Sequence, residues 1–128
     1  MSTEVIGIPH KAKPLWDKLL AEDLAPIHEL FSEVAVYRKA IEQARRNDNV
    51  DHTVAIALAD VSLKLLQTIT PKTPETSRRL IQAAVRYFVL EDDIDGDMDS
   101  VLGFDDDAEV MNAVTIHLGH GQWHIDTP

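Results

Sequence analysis

The residues whose chemistry is easiest to name are carboxylates. Asp93, Asp95, Asp97 and Asp99 alternate along the chain, with Ile94, Gly96 and Met98 between them. A hard cation such as Ca²⁺ takes about six to eight oxygen ligands, and carboxylates at every second position of an extended loop can turn toward one point. These four are therefore the candidate ligands for Ca²⁺ or Mg²⁺. A second group lies near the C-terminus, where His117, His120 and His124 are followed by Asp126. Imidazoles suit a transition ion such as Zn²⁺. Gly119 and Gly121 interrupt that stretch, so the three rings have no common helical face.

The alternation also fits part of the twelve-residue calcium loop of an EF-hand. With Glu91 first, Asp93, Asp95, Asp97 and Asp99 take the third, fifth, seventh and ninth positions, and Gly96 takes the turn position. The twelfth residue is Leu102, where the loop needs a bidentate Glu. The plainer reading of the segment is a solvated acidic connection. No catalytic residue is expected. The glycines are scattered at positions 7, 96, 103, 119 and 121, which leaves no phosphate-cradling loop, and neither G-x-S-x-G nor H-E-x-x-H occurs. Exposed carboxylate pairs lack the burial that would raise a carboxyl pKa into working range.

Net charge narrows the field of partners. The chain carries 12 Lys+Arg against 22 Asp+Glu, a formal charge of −10. Every basic residue lies at or before Arg86, where eleven acids against twelve bases leave +1; the 42 residues beyond hold eleven acids and no Lys or Arg. Such a surface repels phosphate and anionic lipid, so neither nucleic acid nor a membrane is an expected partner. A basic protein or a second copy of the chain is. The pairs Arg38-Lys39, Arg45-Arg46 and Arg78-Arg79 read as solvated helix faces, or as contacts for the acidic segment.

The elements that must position these groups are helical. Hydrophobic residues make up 45% of the 128 and charged residues 27%, ordinary values for a globular chain. Cysteine is absent, which excludes disulfides and thiol chemistry. No apolar run reaches membrane length and the start lacks a secretory pattern, so a cytoplasmic protein is expected. After an irregular leader over 1–13, Leu15, Trp16, Leu19, Leu20 and Leu24 fall at helical spacing from Pro14 onward. Pro26 opens a second helix lined by Ile27, Leu30, Phe31, Val34, Tyr37 or Arg38, Ile41 and Ala44. A third helix follows Asp51 with Val54, Ala57, Leu58, Val61, Leu65 and Ile69 on its stripe. The fourth begins at Thr73-Pro74-Glu75 and shows Leu80, Ile81, Ala84, Val85, Phe88 and Val89. The fifth begins at Asp105 or Asp106 and ends at Gly119.

The junction of the last two helices resembles a known family. Tyr87, Asp93, Ile94, Asp97, Leu102, Gly103, Phe104, Asp106, Asp107, Ala108 and Val110 match without gaps the motif of the YkvA-like family (DUF1232), Y-x5-D-[LI]-x-P-D-x4-[LI]-G-[YF]-x-D-D-A-x-V with one proline absent. The resemblance covers about a fifth of the chain and implies a small helical bacterial domain without an established activity. Glu91, Gly96 and Ser100 stand where the family has proline, so the turn is here longer and more acidic. Tyr87, Gly103, Phe104, Asp106 and Asp107 are the residues it marks as an interaction or structural motif.

Together these readings predict an all-α, single-domain bundle of four to five helices over 1–128, with an acidic loop at 91–105 and a polar tail at 120–128. The expected function is a non-catalytic protein-interaction module presenting an acidic corner. The alternative is a Ca²⁺- or Mg²⁺-binding domain using Asp93, Asp95, Asp97 and Asp99. A third reading is a metal-dependent hydrolase combining aspartates with His117, His120 and His124.

Overall fold

Five α-helices follow one another in the computed structural model, which describes residues 5–43, 52–95 and 105–125. They are α1 (Lys13–Leu20), α2 (Ile27–Gln43), α3 (His52–Gln67), α4 (Glu75–Asp95) and α5 (Asp105–His117). The described residues contain no strand, so the all-α expectation holds. None of the helices is long and apolar enough to cross a membrane, among the described residues.

Periodic apolar spacing accounts for α2 directly. Leu30, Val34, Tyr37 and Ile41 are its buried residues, so Tyr37 and not Arg38 faces inward. Pro26 starts the helix as expected: its carbonyl accepts the amides of Glu29 at 3.0 Å and Leu30 at 3.3 Å. α2 packs chiefly on α3, and Tyr37 meets Phe88 of α4 edge-on, ring centroids 4.8 Å apart.

α4 is the centre of the bundle and touches each of the other four helices. Leu80, Ile81, Gln82, Ala83, Ala84 and Val85 are all buried in succession, followed by Tyr87 and Phe88. A run longer than one turn leaves no solvent face, which is the signature of an enclosed helix. The alanines matter here, because small residues let neighbouring helices approach on every side. α5 is similarly covered: Asp107, Ala108, Val110, Met111, Ala113, Val114 and Thr115 are buried.

Three boundaries differ from the sequence reading. α1 stops at Leu20, short of Leu24. The carbonyls of Leu20 and of Glu22 in the following linker are met by α4: Arg79 Nη1 donates to Leu20 O at 3.2 Å and to Glu22 O at 2.8 Å. The leader is not wholly irregular: Val5 is buried, and residues His10–Ala12 form a 3-10 turn leading into Lys13. The acidic loop expected at 91–105 begins as helix, since α4 runs on to Asp95. No proline or glycine stands between Glu75 and Asp95, so nothing in the backbone stops propagation before Gly96.

Gln82 is the polar residue at the heart of this packing, 2% exposed. Its Oε1 accepts the Ala25 amide at 2.8 Å and its Nε2 donates to the Asp23 carbonyl at 2.9 Å. Gln82→Leu keeps most of the volume and leaves both linker groups without their partner. The expected cost is about 1–3 kcal/mol, read as a melting temperature several degrees lower. An unchanged melting temperature would show that the linker does not depend on Gln82.

Candidate functional site

Arg79, Gln82 and Arg86 stand three and four residues apart, so they form one polar stripe along the central helix. All three reach the linker between α1 and α2 or the start of α2. Arg86 Nη1 lies 3.1 Å from Glu22, and its Nη2 lies 3.0 Å from Glu33 and 3.4 Å from Glu29. The Arg86 side chain is only 19% exposed. Its pKa is raised above that of an ordinary arginine, first by the hydrogen bond to Glu33, with burial opposing and Glu22 adding to the effect. The guanidinium is thus charged wherever the protein is folded.

Arg38 and Arg79 also pair within the chain, at partly exposed positions. Arg38 bridges to Glu42 at 2.9 Å and across to Asp60 of α3 at 3.4 Å. Arg79 bonds Glu75 at 2.9 Å in addition to the linker carbonyls. Two of the cations expected on solvated faces, Arg38 and Arg79, therefore tie elements together.

The acidic candidates are placed in part. Asp93 and Asp95 belong to the last turns of α4, whereas Asp97, Asp99, Gly103 and Phe104 lie outside the described residues. Positions two apart on a helix are turned about 200° from each other. Positions 93 and 95 are helical, where the expectation had an extended loop. No basic residue stands in the last turn of α4, whose carbonyl end already carries partial negative charge. Asp106 falls in the first turn of α5, and Asp107 beside it is 2% exposed. Tyr87, Ala108 and Val110 of the same motif are buried too.

The tail is docked, not a loose polar end. Gly119, at φ +87°, lets α5 close with its own backbone: His120 N donates to Thr115 O at 2.7 Å and Gly119 N to Ile116 O at 3.1 Å. His120 then stacks flat on Trp123, centroids 4.3 Å apart and 7° from parallel. Ile125 is buried and held by Asn112, whose Oδ1 accepts its amide at 2.7 Å and whose Nδ2 donates to its carbonyl at 2.9 Å. His117 and His124 are exposed. Among the described residues, His117, His120 and His124 included, no three His, Cys, Asp or Glu side chains are grouped to hold a metal ion. Asn112 and Gln82 were not singled out in the sequence, because a lone amide carries no spacing signal until its backbone partner is known.

No family model matches this chain, and no curated protein or solved structure matches it.

The Arg86 cluster makes a prediction with a definite sign. A cation whose folded pKa lies above its unfolded value adds stability that is fully present at every pH below the unfolded value and is lost only as pH rises through the folded one. Arg86→Met is expected to cost about 1–3 kcal/mol by leaving three glutamates facing one another. Denaturation of both proteins from about pH 6 to about pH 10 should show a constant difference. A difference that vanishes toward alkaline pH would mean another group sets the stability.

Proposed function

We propose that this chain is a non-catalytic helical module that binds a basic protein partner through an acidic corner. The corner comprises the end of α4, the start of α5 and the sequence joining them, where ten of the nineteen residues from Glu91 to Glu109 are acidic and none is basic. The observation that carries this reading is the pairing of three of the bundle's arginines within the chain. Arg38, Arg79 and Arg86 are held by Glu42, Asp60, Glu75, Glu22, Glu29 and Glu33, carboxylates remote in sequence from the corner. Charge so concentrated draws cationic surfaces and speeds their encounter. The end of α4 adds to the effect, since each acid at a helix C-terminus is unfavourable by about 0.3–1 kcal/mol until a cation relieves it.

The likeness to the YkvA-like family belongs to the same proposal. Burial of Tyr87, Asp107, Ala108 and Val110 supports a structural corner in that motif. The helical setting of Asp93 and Asp95 favours the partner-binding reading over a calcium-type loop.

The test is anisotropy of a labelled Arg/Lys-rich peptide, with EDTA present, for the wild type and for the triple variant Asp92→Asn, Asp93→Asn, Asp95→Asn. Binding should weaken about tenfold or more between low and physiological salt, because exposed charges are screened within about 8 Å at the latter. The triple variant should lose most of the affinity. Salt-independent binding, or a variant as tight as the wild type, would contradict the proposal. A parallel melt with Ca²⁺ or Mg²⁺ at matched ionic strength separates the cation reading. A site filled at about 100 times its Kd adds about 2.7 kcal/mol, whereas the proposal expects no such gain.

A further inference from the structure

A groove of about 400 Å³ opens between α3 and the docked tail. That volume lies in the range of small-molecule sites, which combine apolar walls with a few convergent polar groups. Val54, Ala57 and Val61 of α3 supply the apolar floor, and Trp123 and Ile125 supply the opposite wall. The wall stands where it does because Asn112 grips both backbone groups of Ile125 at 2.7 and 2.9 Å. His120, stacked on the indole, fixes the plane of Trp123.

The polar groups of this groove are mostly donors. Thr53, Lys64, Gln122 and His124 can each present an N–H or O–H, and the Lys64 ammonium sits 5.7 Å from the centre of the Trp123 ring. Asp60 is the one carboxylate among the lining residues, and Arg38 engages it at 3.4 Å. In a chain of net charge −10 this is a local reversal, an apolar slot with a cation at its edge.

We propose that the groove is a binding site for a small aromatic carboxylate. The ring of the ligand lies against the α3 floor beside Trp123, and its carboxylate meets Lys64. Asn112 acts as a positioning residue, since it touches no ligand and holds the wall in place. The site is separate from the acidic corner and does not rest on it.

The two tryptophans give a built-in control. Trp16 is 1% exposed in the core beside α4, whereas Trp123 lines the groove. Benzoate is titrated against the wild type while both indole N–H signals are followed by NMR, with benzamide as the neutral isostere. The Trp123 signal should shift and saturate while the Trp16 signal stays. Benzamide, and benzoate with Lys64→Met, should bind about tenfold more weakly or worse, as expected for loss of one charged contact. Asn112→Leu should abolish the Trp123 response and leave Trp16 at its folded position. The proposal is overturned if both indoles or neither respond in the wild type, if benzamide matches benzoate, or if Lys64→Met binds as the wild type does.

Discussion

The constraint on which the rest depends is that α4 is enclosed by four helices and still carries Arg79, Gln82 and Arg86. Gln82 is buried and Arg79 and Arg86 are only partly open to water, so a group left unpaired on this stripe would cost up to about 1–3 kcal/mol. The linker between α1 and α2 removes that cost. It brings the carbonyls of Leu20, Glu22 and Asp23 and the amide of Ala25 against the stripe, with Glu22, Glu29 and Glu33 around Arg86. The exchange is mutual, because the end of α1 needs donors for its last carbonyls. One row of side chains therefore caps a helix, fixes a linker and orients α2.

The charge distribution follows from the same arrangement. All Lys and Arg lie in the first 86 residues, and Arg86 is bound by acids of that same stretch, Glu22 and Glu33. No Lys or Arg follows Arg86, and the sequence from Glu91 to Glu109 carries its acids without them. Under the proposed function, such a corner would be relieved next to a basic surface, and charge would be what it recognises.

Periodicity made the helices legible. Leu30, Val34, Tyr37 and Ile41 recur at three and four residues, and the structure buries that set. Pro26 and Gly119 marked a start and a stop through backbone rules that operate within a few residues. What sequence could not show depends on contacts across the chain. Leu24 continues the spacing of the first helix, yet the linker is drawn away by Gln82, 57 positions on from Ala25. Val5 is a single apolar residue in an irregular stretch, so no period announces its burial. Asn112 looks like any surface amide until Ile125 is placed against it. For the candidate site, the acids were evident from composition, while their helical setting through Asp95 was not, because like charge disfavours a helix without forbidding it.

Amide hydrogen exchange at Ala25 tests the central claim most directly. Its N–H lies in a linker yet donates to Gln82 on the most enclosed helix. If the stripe on α4 holds the linker, this amide should exchange together with the α4 core amides from Leu80 to Phe88, by opening of the whole bundle. Exchange of the Ala25 amide at the rate of an open loop, with the α4 amides still protected, would contradict the account.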